Sequence, residues 1–275
     1  MRGYHPLVAV VAGTGDVVHS RQRGGNANSG RGAGSFLAET FSRVRAAGAS
    51  GAITLRADSG FYSGAVAGAC RAADVRFSIT MRLNPAIRKA VAQIPEEAWV
   101  AIPYFLDGAE VAETTYRPFG KKAPVVRLIV RRVKPTPGSQ LALLVDWSYH
   151  GFVTDREGGT VALEADHRRH AEVENTIRDL KYGVGLNHFP SGRFGANAAW
   201  LALNVMAHNL ARWTSRLGLG ETIIATDTLR RRHLRTPGRI TRSARKYTLH
   251  LPARWPWRLQ FLDSLARLRT VVLNT

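Results

Sequence analysis

The chain has 275 residues, and 45% of them are apolar and 8% aromatic, which is an ordinary balance for a globular protein. Lys and Arg number 39 against 20 Asp and Glu, so the formal net charge is +19. This composition excludes a disordered tail, a collagen-like repeat and a disulfide-rich miniprotein, and the single cysteine, Cys70, favours a reducing compartment. No charge-free apolar run of about 18 residues predicts a membrane span. We therefore expect a cytoplasmic protein that binds a polyanion, with nucleic acid as the default partner.

The first hundred residues alternate between strand and helix patterns. Two short apolar runs, residues 7–12 and 17–20, flank a Gly-rich turn and predict a hairpin. Helical spacing predicts helices over residues 35–47 and 65–72, and buried strands are predicted over residues 52–57 and 76–81. This order predicts an α/β domain with a partly parallel sheet.

From residue 99 the pattern changes to repeated short strands, which predict an antiparallel insertion up to about residue 152. These strands are predicted over residues 99–105, 111–116, 125–133 and 141–147. Helical periodicity returns over residues 159–181, and a second long helix is predicted over residues 196–217. Its predicted core residues are Trp200, Leu203, Met206, Leu210 and Trp213.

The last 48 residues carry over half of the net charge. Residues 228–275 contain twelve Arg and Lys against the single acid Asp263, a net charge of +11. Apolar alternation and a Trp-Pro-Trp sequence indicate a structured basic module rather than a loose tail, and arginine favours bidentate phosphate contacts. A fringe of solvated arginines is the alternative. The arginines predicted to contact DNA here are Arg239, Arg242 and Arg245.

Two acidic residues stand out as candidates for chemistry. Asp58 follows a predicted buried strand, a position where open α/β sheets place functional groups, although an Asp before a helix also serves as an N-cap. On a helix over residues 166–181, a rotation of about 100° per residue places His167, His170, Glu174 and Lys181 within about 60° of one another. Glu172 and Asp179 fall on other faces, so Glu174 is the acid of this polar stripe. A solvated face with pairs four residues apart is the alternative.

At these residues the sequence resembles a known family. The spacing His167-x-x-His170-x-x-x-Glu174-x-x-x-x-x-x-Lys181 is similar to the Tyr-Arg-Glu-Lys signature of one branch of bacterial insertion-sequence DDE transposases, the insertion-sequence thirteen-eighty group. The resemblance extends over essentially the whole chain. It includes residues 3–7, 56–61, 189–194, 196–200, 237–240 and 255–257.

The resemblance implies a ribonuclease-H-like mixed sheet with flanking helices and a β-rich insertion before the glutamate helix. It implies DNA strand cleavage and transfer by three carboxylates that hold Mg²⁺ or Mn²⁺, with Asp58 as the second metal carboxylate and Glu174 as the third. Double-stranded DNA of transposon ends and targets is the implied partner, in a nucleoid-associated bacterial protein that is a homodimer when full length. The implied DNA contacts outside the basic module are His167, His170, Arg178 and Lys181.

The sequence departs from the family pattern in two respects. The family's first catalytic aspartate precedes the stretch that here spans residues 3–7, so we expect an N-terminally truncated transposase that does not cleave DNA alone. The family's Tyr and Arg are His167 and His170, which lack the guanidinium fork. A non-catalytic DNA-binding competitor or regulator is the alternative function. The predicted segments are a first part of the catalytic core (1–98), the β insertion (99–157), the helical end of the core (158–227) and the basic module (228–275).

Overall fold

A computed structural model gives the structure of the chain and describes residues 3–103, 108–135, 138, 147–169, 171–220 and 224–271. The chain forms two compact units. The first unit comprises residues 1–7 and 23–171, and the second comprises residues 8–22 and 172–275. These units divide the chain at other positions than the four segments predicted from the sequence, and those segments stay predictions.

Strands and helices alternate over residues 17–101, and a run of strands, then a run of helices, follow in the described chain. The strands are β1 (Leu7–Val10), β2 (Val17–Arg21), β3 (Ile53–Ala57), β4 (Val75–Met81), β5 (Val100–Ala101), β6 (Ala109–Tyr116), β7 (Val126–Val133), β8 (Ser148–Thr154), β9 (Arg239–Ser243) and β10 (Lys246–His250). The helices are α1 (Ala33–Ala46), α2 (Gly64–Ala72), α3 (Pro85–Val91), α4 (Thr160–Arg168), α5 (Ala171–Arg178), α6 (Phe194–Thr214), α7 (Thr226–Leu229) and α8 (Arg258–Arg269).

A six-stranded mixed sheet forms the centre of the first unit, in the order β3-β4-β8-β7-β6-β5. β3 and β4 are parallel, and every other neighbouring pair is antiparallel. The parallel pair requires a crossover, which α2 supplies. The Ser63 side chain caps the start of α2, and Val66, Ala67 and Cys70 on this helix are buried. The mixed α/β fold predicted from the sequence is confirmed, and it is consistent with a ribonuclease-H-like fold.

The second unit combines helices with two small sheets, one of β1 and β2 and one of β9 and β10. Val17, Leu180, Leu186 and Leu201 form an apolar cluster here, and Trp200 packs against it. β9, β10 and α8 lie within residues 228–271, so this basic stretch contains regular secondary structure. Among the described residues, no helix is long and apolar enough to cross a membrane.

Most local predictions in the first half of the chain are confirmed. The predicted hairpin appears as β1 and β2, and the predicted helices and strands up to residue 81 appear within two residues of their expected ends. β6 and β7 are confirmed as well, whereas the strand predicted over residues 99–105 is seen only as β5. Residues 141–146 of another predicted strand lie outside the described residues, and β8 and α3 are missing from the predictions.

The single helix predicted over residues 159–181 is wrong, because three segments occupy this stretch. α4 ends at Arg168, α5 begins at Ala171, and the π-helical turn Asp179–Gly183 follows α5. A wheel of 100° per residue applies only within one uninterrupted α-helix. It therefore cannot place His167 and Glu174 on one stripe, and the π-helical turn also changes the angular position of Lys181.

The core predicted for the second long helix is also wrong at four of its five positions. Leu203, Met206, Leu210 and Trp213 of α6 are between 43% and 59% exposed. The buried face of α6 is instead mostly polar, and it contains Asn197, Leu201, Asn204, His208 and Arg212. Hydrogen bonds explain the inversion: the side-chain amide of Asn197, for example, accepts from the backbone N–H of Ser191 and donates to its carbonyl.

Candidate catalytic carboxylates and nucleic-acid interface

Asp58 lies at the carboxyl end of β3, next to the parallel strand β4. Its side chain is exposed, and Oδ1 accepts a hydrogen bond of 2.8 Å from the backbone N–H of Gly60. Asp58 thereby caps the 3₁₀ turn Ser59–Phe61, so the N-cap role considered from the sequence is present in the structure. The cap fixes the carboxylate at the sheet edge and leaves the exposed side chain accessible to a ligand.

Gly60 is the residue that allows this tight turn. A Cβ atom at Gly60 would lie 2.8 Å from the Cβ of Ser29 and 3.0 Å from Oδ1 of Asp58. Contacts below 3.0 Å force a rearrangement, so any side chain here would displace either the loop or the carboxylate. The glycine at position 60 is thus a physical requirement for the position of Asp58.

Glu174 is exposed on α5, and two of the predicted DNA-binding residues are exposed on the same segment. These are Arg178 at the end of α5 and Lys181 in the π-helical turn that follows. The opposite side of α5 is packed, since Thr176 is 1% exposed. The structure therefore places one carboxylate and two cations on the exposed part of one continuous stretch.

The two neighbouring acids have structural partners, whereas Glu174 has none among the residues that the structure describes. Glu172 Oε2 accepts from the backbone N–H of Gly13 at 3.1 Å, which ties α5 to the turn between β1 and β2. Asp179 accepts from both the backbone N–H and the hydroxyl of Thr226, and its Oδ2 lies 3.0 Å from Nδ1 of the buried His208. Burial alone would raise the pKa of Asp179, but the hydrogen bonds from His208 and Thr226 outweigh burial and lower it. Tertiary contacts thus favour Glu174 as the available acid, although the helical wheel does not apply across this interrupted helix.

His167 is built into the first unit rather than left available to a ligand. Its Nδ1 lies 2.7 Å from the hydroxyl oxygen of Ser78, and its Nε2 lies 2.9 Å from that of Thr80. The ring also stacks on Phe152, with a centroid distance of 4.0 Å and an interplanar angle of 9°. A phosphate contact by His167 would require breaking these bonds. His170, the second predicted histidine, lies outside the described residues.

β9 and β10 form an exposed antiparallel ribbon that carries the three predicted arginines. Arg245 lies in its two-residue turn, next to Ala244, which has a φ of 52°. Arg242 is paired in register with Tyr247, and its guanidinium carbon lies 5.5 Å from the centroid of that ring. Because side chains alternate along a strand, Arg239 and Arg242 point to opposite faces of the ribbon. A flat DNA surface on one face of the ribbon therefore cannot contact all three arginines.

The residues that could hold a metal ion form an incomplete set. Asp58 and Glu174 offer carboxylate oxygens, the donors that Mg²⁺ prefers. Among the residues that the structure describes, no group of three or more His, Cys, Asp or Glu side chains is arranged to hold a metal ion. The two candidate carboxylates also belong to different compact units. The donor chemistry fits a divalent cation, but the described residues supply only part of the three-carboxylate set that the resemblance implies.

The mixed sheet with flanking helices defines an α/β protein whose exposed acids and basic ribbon suit the handling of nucleic acid. A family model described as transposase DDE domain group 1 matches residues 1–273. The chain therefore belongs to this family of transposase DDE domains. A comparison with curated proteins returns no match.

Proposed function

We propose that this chain is the transposase of an insertion sequence, of the branch with the Tyr-Arg-Glu-Lys signature, and that it takes part in Mg²⁺-dependent cleavage and transfer of DNA strands. The observation that carries the proposal is the family match over residues 1–273, which spans both candidate carboxylates. Asp58 at the end of a parallel strand and Glu174 on an exposed helix face are the proposed metal-binding acids. Bound Mg²⁺ would activate the attacking oxygen and stabilise the leaving one.

The chain's own residues account for the binding and orientation of DNA. Arg178 and Lys181 are exposed close to Glu174 in sequence, so they are suited to hold a phosphate beside this acid. The β9–β10 ribbon, with arginines on both faces, suits a groove or a bend of DNA, where phosphates surround the ribbon. The net charge of +11 over residues 228–275 supports a salt-dependent contact of this kind.

A second function, a DNA-binding competitor or regulator without catalysis, is favoured by one observation. The described residues contain no group of three potential metal ligands. Mg²⁺ keeps several waters and is usually held by one or two carboxylates together with substrate phosphates, so two carboxylates without DNA bind it weakly. The expectation from the sequence, that the chain alone does not cut DNA, is the outcome that this second function predicts.

A nicking assay on supercoiled plasmid with Mg²⁺ or Mn²⁺ separates the two functions. The transposase proposal is supported by nicking that Asp58→Ala and Glu174→Ala each abolish and that Glu157→Ala, at an exposed acid outside the candidate set, leaves intact. DNA binding is measured on the same proteins by gel shift. Binding without nicking supports the competitor function, and nicking that persists in both carboxylate variants contradicts the assignment of Asp58 and Glu174.

A further inference from the structure

α6 has its apolar side chains on the outside. Leu203, Met206, Leu210 and Trp213 are exposed, whereas the buried face of the same helix is mostly polar. At 100° per residue the four exposed side chains span about 80°, and this arc is centred opposite the buried face. Leu217, in the π-helical turn Ser215–Leu219 that follows α6, is 48% exposed and extends the row. We call this row the α6 stripe: Leu203, Met206, Leu210, Trp213 and Leu217.

The buried polar face explains why α6 keeps this orientation. Asn209 accepts a 2.9 Å hydrogen bond from the backbone N–H of Val17 in β2 and donates one of 2.9 Å to its carbonyl oxygen. His208, which is fully buried, contacts Asp179 at 3.0 Å and the carbonyl oxygen of Gly15 at 3.1 Å. Turning the α6 stripe inward would break these bonds and leave buried polar groups unsatisfied. The stripe is therefore fixed outward within the second unit.

The spacing of the α6 stripe is that of a helix–helix seam. Successive members are separated by three, four, three and four residues, and the three leucines recur every seven. This heptad pattern is what two-helix contacts use, because a repeat of 3.5 residues keeps the same side chains facing a partner helix. From Leu203 to Leu217 the seam is about 20 Å long.

The charge around the α6 stripe is as unusual as its exposure. The 21 residues of α6 include only one Lys, Arg, Asp or Glu, which is the buried Arg212, whereas such residues make up 21% of the chain. The exposed face of α6 therefore offers no cation to a phosphate backbone. Within α6 itself no exposed charged side chain would face a like charge across the seam, and this permits two copies of a protein with a net charge of +19 to approach there.

We propose that the α6 stripe binds the α6 stripe of a second copy of this chain in a two-fold symmetric contact. Each stripe presents roughly 500 Å² of apolar surface, which supplies the centre of an interface that needs about 800 Å² per partner. With a two-fold axis beside Leu210, the middle residue, the α6 stripe of one copy packs against the same stripe of the other copy. Large side chains then face large side chains. The contact gives a surface to the homodimer implied by the resemblance, and it does not depend on catalysis.

Sedimentation velocity of the full chain at about 1–100 µM tests the contact. The chain should be dimeric, and Leu210→Asp should weaken the dimer at least tenfold by placing two carboxylates in an apolar seam. Val125→Asp is the matched control, since Val125 is 49% exposed in the first unit and should leave the dimer intact. Circular dichroism and thermal unfolding of Leu210→Asp should match the wild-type protein, because the side chain is already exposed.

Cross-linking provides a second measurement. The native Cys70 is buried, and burial raises the pKa of its thiol to about 12, so it should not react. Under mild oxidation, Leu210→Cys should form disulfide-linked dimers and Val125→Cys should not. A monomer at 100 µM, a dimer that Leu210→Asp leaves unchanged, or a Leu210→Asp protein that unfolds would each overturn the proposal. Because nicking and gel shift are measured separately, loss of the dimer alone leaves the proposed transposase function standing.

Discussion

Asp179 offers a quantitative test of how the second unit is held together. Its carboxylate accepts from the backbone N–H of Thr226 at 2.8 Å and from its hydroxyl at 2.7 Å, and Oδ2 lies 3.0 Å from Nδ1 of His208. Nε2 of His208 lies 3.1 Å from the carbonyl oxygen of Gly15. The buried ring thus lies between a carboxylate and a backbone carbonyl oxygen. The result is a buried polar cluster that joins α6 to residues far away in sequence.

Asp179→Asn should destabilise the protein by about 2 kcal/mol, because it replaces the charged acceptor of two hydrogen bonds from Thr226 and of the contact with buried His208. The asparagine keeps one acceptor oxygen for Thr226 but turns an amide N–H₂ toward a second donor. With an m-value near 2–3 kcal/mol/M, the urea midpoint should fall by about 1 M. The exposed acid Asp263 on α8 provides the control, and Asp263→Asn should change stability by less than about 0.5 kcal/mol.

The pH dependence of this difference follows from the lowered pKa of Asp179. A carboxylate with a folded-state pKa below its unfolded value, near 3.9, contributes stability that is fully present above that value. The contribution is lost as pH falls through the folded pKa. The gap between wild type and Asp179→Asn should therefore be constant from pH 7 to about 5 and shrink only below about pH 4. A gap under 0.5 kcal/mol at pH 7, or one that disappears by pH 6, would refute the stabilising role of the Asp179 carboxylate.

Three further substitutions test other parts of the structure. His167→Ala should lower the free energy of unfolding by about 2 kcal/mol, measured with urea, because the bonds to Ser78 and Thr80 are lost. The DNA affinity should not change. A folded variant that binds DNA more weakly would support a phosphate contact by His167 instead. Gly183→Ala should destabilise the protein by at least about 2 kcal/mol, because the new Cβ would lie 2.5 Å from Oδ1 of Asp179. Gly192→Ala is the control and should leave the stability unchanged, because a Cβ at Gly192 would lie in open space. Replacing Arg239, Arg242 and Arg245 together by Ala should weaken DNA binding. The slope of log K against log salt concentration, measured by gel shift at several salt concentrations, should become less steep by up to about 3. An unchanged slope would show that the ribbon is not part of the DNA interface.

The sequence predicts those elements whose cause is local. The apolar spacing of α1 and α2 and the β-branched runs of β3, β4, β6 and β7 lie within a few residues of one another, and all of these elements appear. α3 had a usable local signal as well, because Asn84 accepts from the backbone N–H of Ile87 and Pro85 occupies the first helical position. β8 had none, since its first residues are Ser, Tyr, His and Gly, and it is defined by pairing with β4 and β7.

The facing of α6 shows where local information ends. Periodicity finds the two faces of the helix correctly but does not say which of them is buried. Which face of α6 is buried depends on long-range hydrogen bonds, such as those between Asn209 and Val17, which are 192 residues apart. No window of the sequence contains both partners, so the apolar face was the natural but wrong choice for the core.

The acids of the candidate site also show that local sequence patterns do not determine which side chains are available. Glu172, Glu174 and Asp179 lie within eight residues, and a helical wheel separates them only if the helix is continuous. The helix is broken at Arg169 and becomes a π-helical turn at Asp179, so that criterion fails. Their tertiary partners separate them instead: Glu172 holds the backbone of Gly13, Asp179 holds Thr226 and His208, and Glu174 remains exposed. Both oxygens of Asp179 are engaged by partners, whereas Glu174 is exposed, so Glu174 is the acid of this stretch to test for catalysis.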